Sequence, residues 1–98
     1  HGARIKYVHL KDADAAELQH VRTSDISMQD AWKRGIFCAL GEGVVDFKGV
    51  CAALAKRNYD GWMIVEQDVV PDASGRLNPD PTESAKKSRK YLKEVLGL

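Results

Sequence analysis

Ninety-eight residues, 44% hydrophobic and 30% charged, make an ordinary globular composition with room for one small domain at most. Fifteen basic and fourteen acidic side chains leave a formal charge of +1, too little for the broad positive field a polyphosphate needs, so nucleic acid is set aside as a partner. No apolar run approaches the roughly 20 residues that span a bilayer; the opening HGARIKYV lacks both an initiator Met and the layout of a secretory signal. A cytoplasmic protein whose chain is entered partway, with no membrane partner, is expected.

The first predicted element is a strand over Arg4 to Leu10, whose alternation puts Ile5, Tyr7 and His9 on one face and Lys6, Val8 and Leu10 on the other. Its end carries His9, Lys11 and Asp12. Asp14 followed by Glu17 forms a capping box that opens a short helix with Leu18 and Val21 inward. Ser27 and Asp30 repeat that signal and Gly35 supplies a stop, which predicts a second short helix over Met28 to Arg34. The connection from Lys11 to Val45 is thus far longer than the roughly two to six residues usual between a strand and its returning helix, and long structured loops commonly carry function. It closes with GIFCALGEG, where glycines allow close backbone approach and Phe37 and Leu40 could cover a pocket; a plain loop with a packed aromatic reads equally well.

Asp46 is a good N-cap for FKGVCAALAKR, with Phe47, Val50, Cys51 and Leu54 at helical spacing and Val45 against Val50 as a hydrophobic staple. That helix stops near Asn58, and Tyr59-Asp60-Gly61 turns into a strand over Trp62 to Gln67. Trp62, Ile64 and Glu66 share one face and Met63, Val65 and Gln67 the other, the two-sided apolarity of a parallel strand covered by helices. Val69 to Pro79 reads as an exposed loop. Asp80-Pro81-Thr82-Glu83 then starts a helix with Ser84, Ser88, Tyr91, Leu92 and Val95 inward, an end near Leu96 and Gly97 as its cap. Lys86, Lys87, Lys90 and Lys93 face water, as a solvated face in preference to a docking patch. The order is two βα units.

Chemistry in such units lies just beyond the carboxyl ends of the strands. His9 and Glu66 each end a strand and are types that bind a divalent ion through nitrogen and oxygen, although a hydrogen-bonded core histidine and a salt-bridged rim glutamate read as simply. His1 and His20 are expected at the surface. Cys38 and Cys51 are not in CxxC spacing and read as buried free thiols; neither a GxSxG elbow nor a GxxxxGK[ST] loop is present, so acyl and phosphoryl transfer lack support.

IKYVHLKD, FCALGEGVVDF, YDGWMIVEQD and SRKYLKEVLGL, taken in that order across nearly the whole chain, resemble the carboxyl-terminal part of the xylose-isomerase-like sugar isomerase/epimerase superfamily. The resemblance implies a partial (βα)8 TIM barrel, residues 1–98 forming units 7 and 8 of one barrel domain with about two thirds of the fold absent. It implies His9 and Glu66 as ligands of a divalent metal, manganese or cobalt, with the other carboxylates on earlier strands. Glu66 and Lys11 would be catalytic, Lys11, Asp12 and Phe37 would meet the substrate, and Gln67 and Asp68 would support Glu66 from behind. The implied substrate is a polyhydroxy ketone or cyclitol, polarised by the metal as a Lewis acid. The decorated loop ending in WKRGIFCALGEG resembles the family's dehydratase branch, which implies a lyase removing water from a keto-inositol; an isomerase or epimerase is the alternative. A non-catalytic βα module, or a fragment that self-assembles, is the alternative of another class.

Overall fold

The computed structural model describes residues 2–98. Strand β1 (Tyr7–Leu10) runs parallel to β4 (Trp62–Val65), with Tyr7 opposite Trp62, Val8 opposite Met63, His9 opposite Ile64 and Leu10 opposite Val65. Between them come β2 (Asp12–Ala13), α1 (Ala15–Thr23), α2 (Met28–Lys33), β3 (Phe37–Cys38) and α3 (Phe47–Ala55); α4 (Pro81–Glu94) follows β4. The two βα units are therefore present. The first strand is shorter than its alternation suggests, because Gly2–Arg4 winds into a 3-10 turn. The second ends at Val65, although Glu66 still donates its backbone N–H to Leu10 O at 2.9 Å.

Every helix begins as its letters dictate. Asp14, Ser27, Asp46 and Asp80 each accept a hydrogen bond from the backbone N–H three residues on, which satisfies one of the donors a helix start leaves unpaired. Asn58 takes the left-handed conformation (φ 50°) that ends the run after α3. At the far end α4 stops at Glu94, two residues before the expected Leu96, and Val95 is 44% exposed, not inward. Leu96 packs against the core in its place.

The core lies on one side of the β1/β4 pair. Leu10, Leu40 and Phe47 are its buried centre, with Val8, Met63, Tyr91, Leu92 and Leu96 against it, and the Phe47 and Tyr91 rings meet edge to face at 6.1 Å. Leu40 is thus a core residue, not the pocket cover its loop position suggested. On the other side Tyr7 and Trp62 are 63% and 71% exposed, so the expectation of a strand covered on both faces holds only for the helix side. The accessible surface of 7018 Å² compares with about 5,600 Å² for a folded monomer of this mass. The radius of gyration of 15.0 Å compares with about 13 Å for a compact domain of this length. Among the described residues, no helix is long and apolar enough to cross a membrane.

An antiparallel pair that the sequence reading did not anticipate, β2 with β3, folds the long connection back on itself. Two-residue strands carry no period to detect.

Candidate functional site at the strand ends

The bare face places Tyr7, His9, Trp62, Ile64 and Glu66 together, and the last turn of each strand brings charge to its rim. His9 Nδ1 lies 2.7 Å from Glu66 Oε2, and Lys11 Nζ donates to Glu66 Oε1 at 2.9 Å and to Asp68 at 2.5 Å. Both Glu66 oxygens are thus engaged by side chains. The parallel register explains the meeting: His9 stands beside Ile64, and Glu66 is the next residue of that face, one step beyond the paired strand. Half the surface of His9 and over a third of Glu66 remain open.

The charges reinforce one another. The His9 hydrogen bond, followed by the Lys11 hydrogen bond and charge, holds the Glu66 carboxyl below the usual carboxylate range. For Lys11, burial opposes the charge, but the hydrogen bonds and charges of Asp68 and Glu66 outweigh it and raise the pKa. Lys11 is an ammonium at neutral pH, and the Phe37 ring lies 4.1 Å beneath it as a cation–π partner.

Of the residues expected to act here, His9, Lys11, Glu66, Asp68 and Phe37 gather in one place. Asp12 and Gln67 turn their side chains elsewhere. The Asp12 side chain is buried at 1% exposure, and its carboxylate accepts the backbone N–H of Ala13, Gly41, Gly43 and Val45. The Gln67 amide donates to Phe37 O at 3.3 Å, holding that loop instead of Glu66. His20 is half-buried beside Ser24, not exposed, and the expectation for His1 lies outside the described residues.

Cys38 and Cys51 are free and half-buried. Burial, with the charges of Asp12, Asp14 and Glu42, pushes the Cys38 thiol up to about 11, so it is no nucleophile at neutral pH. A groove of about 270 Å³ between Val65, Ser84, Ser88 and Leu92 opens on the helix side of β4, away from the His9 face.

His9 and Glu66 offer a nitrogen and an oxygen of the types that bind divalent ions. In the structure the two are hydrogen-bonded to each other at 2.7 Å. Among the described residues no group of three His, Cys, Asp or Glu side chains could hold an ion.

Comparison with known proteins adds the context. The chain is 40% identical over 95 residues to the inosose dehydratase of Glaesserella parasuis serovar 5 (strain SH0165), covering 97% of this chain and 30% of that protein. It is 40% identical over all 98 residues to the inosose dehydratase of Geobacillus thermodenitrificans (strain NG80-2), covering 31% of it. The Serratia proteamaculans (strain 568) inosose dehydratase is 39% identical over 95 residues, again 30% of its length. The chain therefore spans about a third of the length of these relatives. Residues 1–95 also match a family whose description fits parallel strands with chemistry at their carboxyl ends, and on that match the chain belongs to the xylose isomerase-like TIM barrel family.

Proposed function

We propose that residues 1–98 form the last two βα units of a barrel, and that they contribute part of the active site of a carbon–oxygen lyase removing water from a keto-inositol. The observation that carries this reading is the convergence of His9 and Glu66 at the ends of neighbouring parallel strands, beside a charged Lys11. Relatives named inosose dehydratase supply the substrate class. Because the chain spans about a third of them, the remaining ligands and part of the substrate pocket belong to an amino-terminal barrel portion.

His9 and Glu66 would hold a divalent metal, manganese or cobalt, which when bound supplies Lewis-acid polarisation of the substrate ketone. The other steps fall to this chain's own side chains. The Lys11 ammonium is a donor, not a base, at neutral pH: it stabilises an oxygen that gains charge and donates toward the departing hydroxyl. Asp68 pairs with that ammonium independently of Glu66, so Lys11 would stay paired were Glu66 to serve as a metal ligand. Phe37 offers an apolar wall to the C–H side of the ring and limits water around Nζ. The C–H proton beside the ketone would pass to a base supplied by the amino-terminal portion, while the hydroxyl on the next carbon leaves as water with a proton from Lys11; return of the abstracted proton to Lys11 closes the balance as net loss of one water.

In the complete protein, Glu66→Gln and His9→Ala should each lower bound metal and turnover together, turnover by about a hundredfold or more. Metal analysis and steady-state kinetics on the same preparations check this; full metal occupancy in both variants would sink the ligand assignment. A second reading, a non-catalytic module that self-associates, is favoured by the bare Tyr7 and Trp62 face. Light scattering during size exclusion separates the two: self-association into defined oligomers that bind no metal supports the module, while recovery of metal binding only with the amino-terminal portion supports the enzyme.

A further inference from the structure

Asp12 opens the two-residue strand β2 on the connection between β1 and α1, where a charged residue would ordinarily face water, yet it is enclosed. Its Oδ1 accepts from Ala13 N at 2.9 Å and Val45 N at 3.1 Å, and its Oδ2 from Gly41 N at 2.9 Å and Gly43 N at 3.1 Å. Three of those four donors come from one segment, 41–45, about thirty residues further along the chain. No room is left for a side chain there: a Cβ on Gly43 would stand 2.3 Å from Asp12 Oδ1 and from Ala13 O. The segment is also closed from the other side, where Leu40 N donates to the buried Ser88 Oγ at 3.1 Å and Gly41 lies flat against Tyr91.

This knot connects directly to the rim. β2 lies between two partners: β3, which it pairs through Asp12 with Cys38 and Ala13 with Phe37, and the 41–45 segment, from which Val44 N donates to Ala13 O at 3.0 Å. Phe37 is thereby fixed in register, its carbonyl held by Gln67 and its ring 4.1 Å from Lys11 Nζ. Lys11 is the residue before Asp12 in the chain. Whatever holds Asp12 therefore sets both the backbone that carries Lys11 and the ring on which its ammonium rests.

The geometry points to Asp12 as a positioning residue: its buried carboxylate ties the 41–45 segment to β2 and so holds Phe37 and Lys11 in the arrangement that meets substrate. The inference rests on the reading of His9, Lys11 and Glu66 as the reacting site. It gives Asp12 no contact with substrate or metal. The isosteric Asp12→Asn keeps one acceptor oxygen and turns an N–H₂ toward two of the four N–H donors, which loosens the tie with little change in volume.

The test is a double-mutant cycle in the complete protein, with a keto-inositol as substrate, using Asp12→Asn, Lys11→Gln and the pair. Asp12→Asn should lower kcat/KM by about tenfold or more in the native background, and by less than about twofold once Lys11 is already Gln. Hydrogen exchange should show faster exchange at Gly41 and Gly43. A general loss of folded protein would multiply through both backgrounds equally, so equal losses overturn the proposal, as does native kcat/KM in Asp12→Asn. Native kcat/KM in Lys11→Gln overturns the site reading itself and is recognised separately. If Asp12→Asn does not fold, Gly43→Ala, which forces the segment off an intact carboxylate, goes through the same cycle with the same two outcomes.

Discussion

Asp12 and Glu66 are both carboxylates just past the end of a parallel strand, and their surroundings differ in kind. Asp12 is 1% exposed and satisfied entirely by backbone N–H groups, whereas Glu66 is more than a third open and satisfied by two side chains, His9 and Lys11. Backbone donors cannot leave without unfolding the loop, so the first carboxylate is committed to structure. Side-chain donors can rotate away, so the second can exchange its partners for a ligand. Two acids that look alike in sequence are separated by who donates to them.

That contrast is most exposed to a stability measurement. Asp12→Ala strips the acceptors from four backbone N–H groups, three of them in the 41–45 segment, and should lower unfolding stability by about 3 kcal/mol or more; Glu66→Gln should shift the midpoint of urea unfolding downward by far less. Similar losses in both would erase the distinction. A smaller effect is expected for Gly41→Ala, which sets a Cβ at a φ of +87° and 2.3 Å from the Tyr91 ring. It should lose about 2 kcal/mol, measured the same way, and a neutral outcome would mean the loop is not clamped against α4.

The rim predicts its own pH behaviour. With its pKa lowered in the fold, Glu66 contributes stability that is present above the unfolded carboxyl pKa and fades as pH falls through the lower folded value. A carboxyl titration followed by NMR should find Glu66 below the ordinary range, and Lys11→Met should move it up; no movement would mean that Lys11 is not its partner. The smallest change belongs to the exposed pair Lys86 and Glu83 on α4, both more than 60% exposed. Lys86→Ala should alter stability by less than about 0.5 kcal/mol, and a larger loss would require the basic face of α4 to be more than solvated.

Much of this architecture is legible in the letters because its signals are local. Asp14, Ser27, Asp46 and Asp80 each announce a helix through a side chain reaching only three residues, and Asn58 marks a stop through its own φ. His9 and Glu66 were legible as strand-end residues because alternation assigns them to one face. Gln67, an amide beside a glutamate, reaches a carbonyl thirty residues back, a contact no local signal carries. The same holds for Asp12, three of whose four donors lie about thirty residues on.

By itself, then, the sequence determined where each α-helix begins, that two strands lead to His9 and Glu66, which face these residues occupy, and the family. The tertiary structure alone decided that His9 and Glu66 come within 2.7 Å, that Lys11 rests on Phe37, and that Asp12 faces inward. The physical reason is range: caps, turns and alternation are written within a few residues, whereas a carboxylate's role is set by whichever donors the folded chain brings to it.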